Sequence, residues 1–123
     1  MIIARPLSST LYQGENAQWR VELFNQDGSK VVALTDPATN VTLRIQRNID
    51  DEYPIVADAQ MTVLSDSIVA YDLMVHDSWL GYYCGQITVT IPPAKMHGAP
   101  PTNIRRSSVF TINVARALDD INP

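Results

Sequence analysis

The chain has 123 residues, 46% of them hydrophobic, and a formal net charge of −4. That length suits a single domain over residues 1–123, one that buries about 65% of its unfolded surface and needs no covalent staples, and the composition excludes intrinsic disorder. The mild acidic balance argues against nucleic acid as a partner, because phosphate binding needs a basic field, and no apolar run approaches the roughly 20 residues of a membrane helix.

The N-terminus, MIIARPLSST, lacks the long apolar core of a secretory signal. The mature protein is therefore expected to begin here or to be made in the cytosol. Residues 1–16 combine apolar side chains with a proline, which suits an edge strand or an arm laid on a neighbour. In AQWRVELFN, Ala17, Trp19, Val21 and Leu23 alternate with Gln18, Arg20 and Glu22. Such period-two patterning predicts a half-buried strand with Trp19 in the core. Asp27-Gly28 supplies a tight hairpin turn. A short strand is expected over 30–34, closed by Thr35-Asp36-Pro37.

NVTLRIQR reads as a strand with Val41, Leu43 and Ile45 inward. NIDDEYP is a loop, and residues 59–64 form the next strand with Met61 and Val63 inward. Residues 68–75 return with Val69, Tyr71, Leu73 and Val75 on one face and Asp72 on the other. From Gly81, the residues Tyr83, Gly85, Ile87, Val89 and Ile91 share a face until Pro92-Pro93 ends the strand. PPAKMHGAPPTNIRR is a loop with four prolines. SSVFTINV is the last strand, with Phe110, Ile112 and Val114 inward. The tail over 115–123 has room for one helical turn. The pattern predicts an all-β, mostly antiparallel sandwich of about seven to eight strands.

Little of this carries recognisable chemistry, and the chain is expected not to be an enzyme. His76 and Asp77 are sequence neighbours, so on a strand they point to opposite faces. His97 lies in the proline-rich loop with no carboxylate near it in sequence. Cys84 is read as a small packing residue. Asp50, Asp51 and Glu52 offer the oxygen ligands calcium prefers, but without the spacing and glycine of a calcium loop; they and Asp119-Asp120 read as solvated. Metal and cofactor sites are expected to be none. The candidate contact residues are Trp79, Tyr82, Tyr12, Tyr53, Arg105 and Arg106, the two arginines close to Lys95. Aromatic and arginine side chains are enriched at protein interfaces. The other reading of the aromatic pair is structural, with Trp79 capping one end of the sandwich and Tyr82 bonding back to a turn.

The stretch SWLGYYCGQITVTI resembles the second cysteine strand of an immunoglobulin domain. Its usual disulfide is excluded, because Cys84 is the only cysteine and no partner stands near Arg20 or Val21. The series WRVELFNQDGSKVVALTD, VTLRIQR, MTVLSDSIVAYDLM, GYYCGQITVTI and SSVFTINV resembles the N-terminal domain of phage baseplate upper proteins and related tail-fibre domains. That resemblance covers most of residues 17–114. It implies an immunoglobulin-like sandwich without a disulfide, contact with other virion proteins, trimers or rings, location in the virion after synthesis in the host cytoplasm, and no transferable site residues. Such proteins usually continue into a stalk or fibre. A chain ending at Pro123 is expected to be a small neck, head or tail adaptor, or a truncated piece. The alternative is a module for carbohydrate or a host surface molecule, with Trp79, Tyr82 and the 92–106 loop as its platform.

Overall fold

The structure is a computed structural model that describes residues 1–48, 50, 52–91 and 103–116. Among these residues there are ten strands and no helix. The strands are β1 (Ile2–Pro6), β2 (Thr10–Tyr12), β3 (Asn16–Asn25), β4 (Asn40–Gln46) and β5 (Val56–Gln60). They continue with β6 (Thr62–Val63), β7 (Ile68–Met74), β8 (Gly81–Ile91), β9 (Asn103–Arg106) and β10 (Phe110–Ala115). One sheet has the order β1-β3-β7-β6; the other runs β2-β10-β8-β4-β5, with β9 also beside β8. Every strand pairing is antiparallel except that of β2 with β10. This is an immunoglobulin-like sandwich, and its single cysteine is free.

The expected inward residues build the core. Val21, Leu23, Leu43, Val69, Ile87 and Val89 are completely buried, and Trp19 is nearly so. Each such side chain contributes about 1.5–3 kcal/mol by leaving water. The sheets touch through Trp19 on β3 and Phe110 on β10, whose ring centroids lie 5.7 Å apart. Phe110 reaches that position by lying across Gly85 on the neighbouring β8. The immunoglobulin plan places a disulfide between its sheets; this chain has an aromatic contact there instead.

The strand total exceeds the expected seven or eight because three segments divide. Residues 1–16 form β1 in one sheet and β2 in the other, and Trp19 Nε1–H donates to the Ser8 carbonyl (2.9 Å) at the crossing. The strand expected over 59–64 breaks at Met61, so β5 and β6 belong to different sheets. The last four residues of the expected 92–106 loop form β9. From Arg106 opposite Thr88 to Phe110 opposite Gly85, the chain advances four residues against three on β8. The extra residue is a β-bulge at 107–109, which bends the strand locally.

The bulge also shields an edge. Ser108 N–H donates to the Ile2 carbonyl (2.8 Å), and Ala4 N–H donates to Ser108 Oγ (3.3 Å). Pro6 then removes a further donor. The outer side of β1 is thus occupied by its own chain.

Two expectations need correction. Residues 30–34 are not a strand but part of a series of turns, although Val31 and Leu34 are buried. Ala33 has φ of +59° and its carbonyl accepts from Thr39 Oγ1 at 2.6 Å. The apolar residues there plug the sandwich from a loop, which a β ladder does not require. Ala17 is exposed, since β3 projects past the core before Trp19. The Asp27-Gly28 turn does form, with Gly28 at φ +89°.

Asp27 accepts from Ser29 Oγ (2.5 Å) and Ser29 N–H (3.0 Å), and these bonds hold its carboxyl below the ordinary aspartate range. The stabilisation is complete above the ordinary value and is lost as pH falls through the depressed one. Ser29→Ala is expected to raise the Asp27 midpoint in an NMR pH titration. An unmoved midpoint would show that the hydroxyl does not hold the carboxylate.

Candidate interaction surface

The polar residues at the β7–β8 connection form a turn. His76 Nδ1 lies 2.7 Å from Ser78 Oγ and accepts from Ser78 N–H at 3.1 Å, while Trp79 N–H donates to the His76 carbonyl at 3.0 Å. His76 therefore bonds Ser78 rather than Asp77. Gln13 Nε2 donates to the carbonyls of Asp77 (2.9 Å) and Trp79 (2.7 Å), tying this turn to the end of β2. Among the described residues no three His, Cys, Asp or Glu side chains are grouped to hold a metal. Asp51, Lys95, His97, Asp119 and Asp120 lie outside the described residues, as do most of the 92–106 loop and most of the tail.

The aromatic candidates separate. Trp79 is half-buried against the core, with its ring 6.4 Å from Tyr83 and 6.5 Å from His76. Tyr82 points out of the six-stranded sheet and is 68% exposed. The bond back to a turn is made by its neighbour: buried Tyr83 accepts at its hydroxyl from Leu80 N–H (3.2 Å). The Arg47 guanidinium sits 4.8 Å over the Tyr83 ring and donates to the Leu80 carbonyl. Thus Trp79 and Tyr82 do not share a platform.

Tyr12 does share a face with Tyr82. Asn113 stands opposite Tyr82 on one side and Thr10 on the other, and Ala115 is opposite Tyr12. The two exposed tyrosines therefore lie on the outer face of the sheet on either side of β10, Tyr82 level with Asn113 and Tyr12 two residues farther along, level with Ala115. Cys84, half-buried and reduced, is beside Thr111 and Gln46 on the same face. Tyr53 is 86% exposed in the loop between β4 and β5, away from that ladder.

Arg105 and Arg106 diverge because neighbours on a strand point to opposite faces. Arg105 donates to Asn25 Oδ1 (3.0 Å), so a β9 side chain is fastened to the end of β3. Arg106 is exposed on the outer face, in a shallow hollow of about 350 Å³ lined also by Thr42, Arg44, Asp58, Gln86, Thr88, Thr90 and Ile104. Sequence reasoning placed Thr42, Arg44, Gln86, Thr88 and Thr90 outward. It did not bring them together, since that requires knowing that β4, β8 and β9 are adjacent.

Comparison of the chain with protein-family models, with curated proteins and with solved structures found no match.

Proposed function

We propose that this chain is a structural protein of a tailed-phage virion, a tail, baseplate, neck or head adaptor or fibre-attachment module that acts by protein–protein contact. The virion assignment rests on the resemblance of its strand series to baseplate upper protein N-terminal domains. The contact assignment rests on one structural observation: among the described residues, the outer face of the six-stranded sheet carries exposed Tyr12 and Tyr82 and, farther along β8, a polar hollow. Exposed tyrosines present large contact area with few side-chain torsions to fix. Strand exchange through β1 has less support, because its outer side already bonds to Ser108. Association is thus read as face-led, with trimers or rings as the assembled forms.

Light scattering of the purified chain is expected to show a closed symmetric oligomer that Tyr12→Ala/Tyr82→Ala returns to monomer. Mass spectrometry of a purified particle is expected to find the chain in stoichiometric amount. A strictly monomeric chain that is also absent from particles would overturn the proposal. The carbohydrate reading receives less support, because Trp79 is packed against the core rather than exposed beside Tyr82.

A further inference from the structure

The polar hollow carries a charge opposite to that of the molecule. Along the outer face of the six-stranded sheet, the described charged side chains are Arg44 and Arg106 against Asp58 alone. This excess of one positive charge sits on a chain whose net charge is −4. The Arg106 side chain forms no hydrogen bond or ion pair with any described residue, its ladder pairing with Thr88 being made by the backbone. Arg44 donates through Nε to Gln46 Oε1 (2.9 Å), and its Nη1 is 3.4 Å from Asp58 Oδ2. That ion pair is long, with side chains 38% and 64% exposed. Exposed pairs of this kind are weak and readily exchanged.

The register spaces the two guanidinium groups. Arg44 faces Gln86 on β8, Thr42 faces Thr88, and Arg106 faces Thr88 from the other side. The arginines therefore stand two strands apart, roughly 10 Å laterally, with hydroxyl and amide groups between them. A small anion held by one guanidinium would leave the other idle in so open a hollow. An extended peptide with spaced carboxylates engages both, while its backbone meets Thr88 and Gln86.

We propose that this hollow is the docking site for an acidic segment of a partner protein, with Arg106 as the primary carboxylate anchor and Arg44 as the second. Asp58 competes for Arg44 in the free protein. The proposal rests on the contact-module reading and names the chemistry of one partner surface.

The test is a ¹⁵N chemical-shift titration with a short blocked peptide of alternating glutamate and glycine at low ionic strength. Shifts are expected at Thr42, Arg44, Thr88 and Arg106. Arg44→Gln/Arg106→Gln is expected to weaken binding about tenfold. Asp58→Asn is expected to tighten it about two- to threefold, an effect that a merely structural Asp58 would not produce. Asparagine also suits position 58, where φ is +49°. Peptide shifts elsewhere, no peptide shifts, or equal affinity in the double-glutamine variant would overturn the proposal. So would a sulfated oligosaccharide that moves these amides when the peptide does not, or dilution of the free protein moving them, which would make a second copy the occupant. If the titration fails while oligomers or particle incorporation persist, only the hollow's role falls.

Discussion

Gly85→Ala is expected to destabilise the domain by about 1–3 kcal/mol, although it adds a single methyl group. A Cβ at Gly85 would lie 2.3 Å from Phe110 Cε2 and 2.6 Å from Cζ. Phe110 cannot simply swing aside: it is 7% exposed and its other face meets Trp19 in the opposite sheet. Any retreat of the ring therefore opens the contact between the sheets. Phe110→Ala is expected to cost more, about 3–5 kcal/mol, through lost burial and the cavity left behind. The combination distinguishes this mechanism from general damage. With the ring gone, the added methyl has room, so Gly85→Ala/Phe110→Ala should fall short of the sum by roughly 1 kcal/mol or more. Urea denaturation of the four proteins measures this. Strict additivity would mean that the glycine and the ring are not coupled.

The same pair explains why YYCG was misleading as a motif. In an immunoglobulin strand the tyrosine corner lies two residues before the cysteine. Here Tyr82 and Cys84 share the outward face, while Tyr83 and Gly85 face the core. A one-residue offset exchanges the faces of a strand. The corner is thus built by Tyr83, and the core position beside the cysteine is a glycine that accepts a phenyl ring. Alternation in ITVTI predicts the correct faces, whereas the structural reading of Tyr82, with its hydroxyl bonded back to a turn, applies to its neighbour Tyr83.

Other features were legible to different depths for equally physical reasons. The inward sets of β3, β4, β8 and β10 follow from period two, apart from Ala17 at the projecting end of β3. Val31 and Leu34 are buried but not extended, because a loop can fill a core from its end, and burial alone does not specify backbone form. β9 is hidden in the sequence because its four residues follow a proline-rich run and read as part of the same loop, whereas the ladder includes Asn103–Arg106. The hollow was illegible for a different reason. Its residues are individually ordinary outward threonines and arginines on β4, β8 and β9, and only the strand order makes them neighbours. Arg105 and Arg106 illustrate the limit: adjacency in sequence suggested one basic pair, whereas alternation sends one to Asn25 and the other to the open face.

Ser107→Ala is expected to cost about 1–3 kcal/mol, the range for leaving a buried donor unpaired. Ser107 is 4% exposed, and its Oγ accepts from Ile87 N–H (3.0 Å) while donating to the Ser108 carbonyl (2.9 Å). The bulge makes this hydroxyl necessary. Where β9 gives way to β10, a ladder carbonyl is no longer placed to receive the Ile87 amide, and the side chain receives it instead. Water cannot substitute readily, because Ile87 is completely buried. Ser8→Ala is the matched control: its exposed hydroxyl donates to the Thr10 carbonyl (3.0 Å), and its loss is expected to stay within about 0.5 kcal/mol. Hydrogen exchange adds a local readout, with the Ile87 amide of Ser107→Ala exchanging faster than global destabilisation alone requires. Equal losses for the two serine variants, or an Ile87 amide that keeps its relative protection, would show that the bulge is held by backbone pairing. The adjacent bonds from Ser108 to Ile2 and Ala4 give the change a second consequence. A bulge that relaxes also loosens the cover on β1, so Ser107→Ala should expose an edge able to pair with another chain, and aggregation on heating should rise above that of Ser8→Ala.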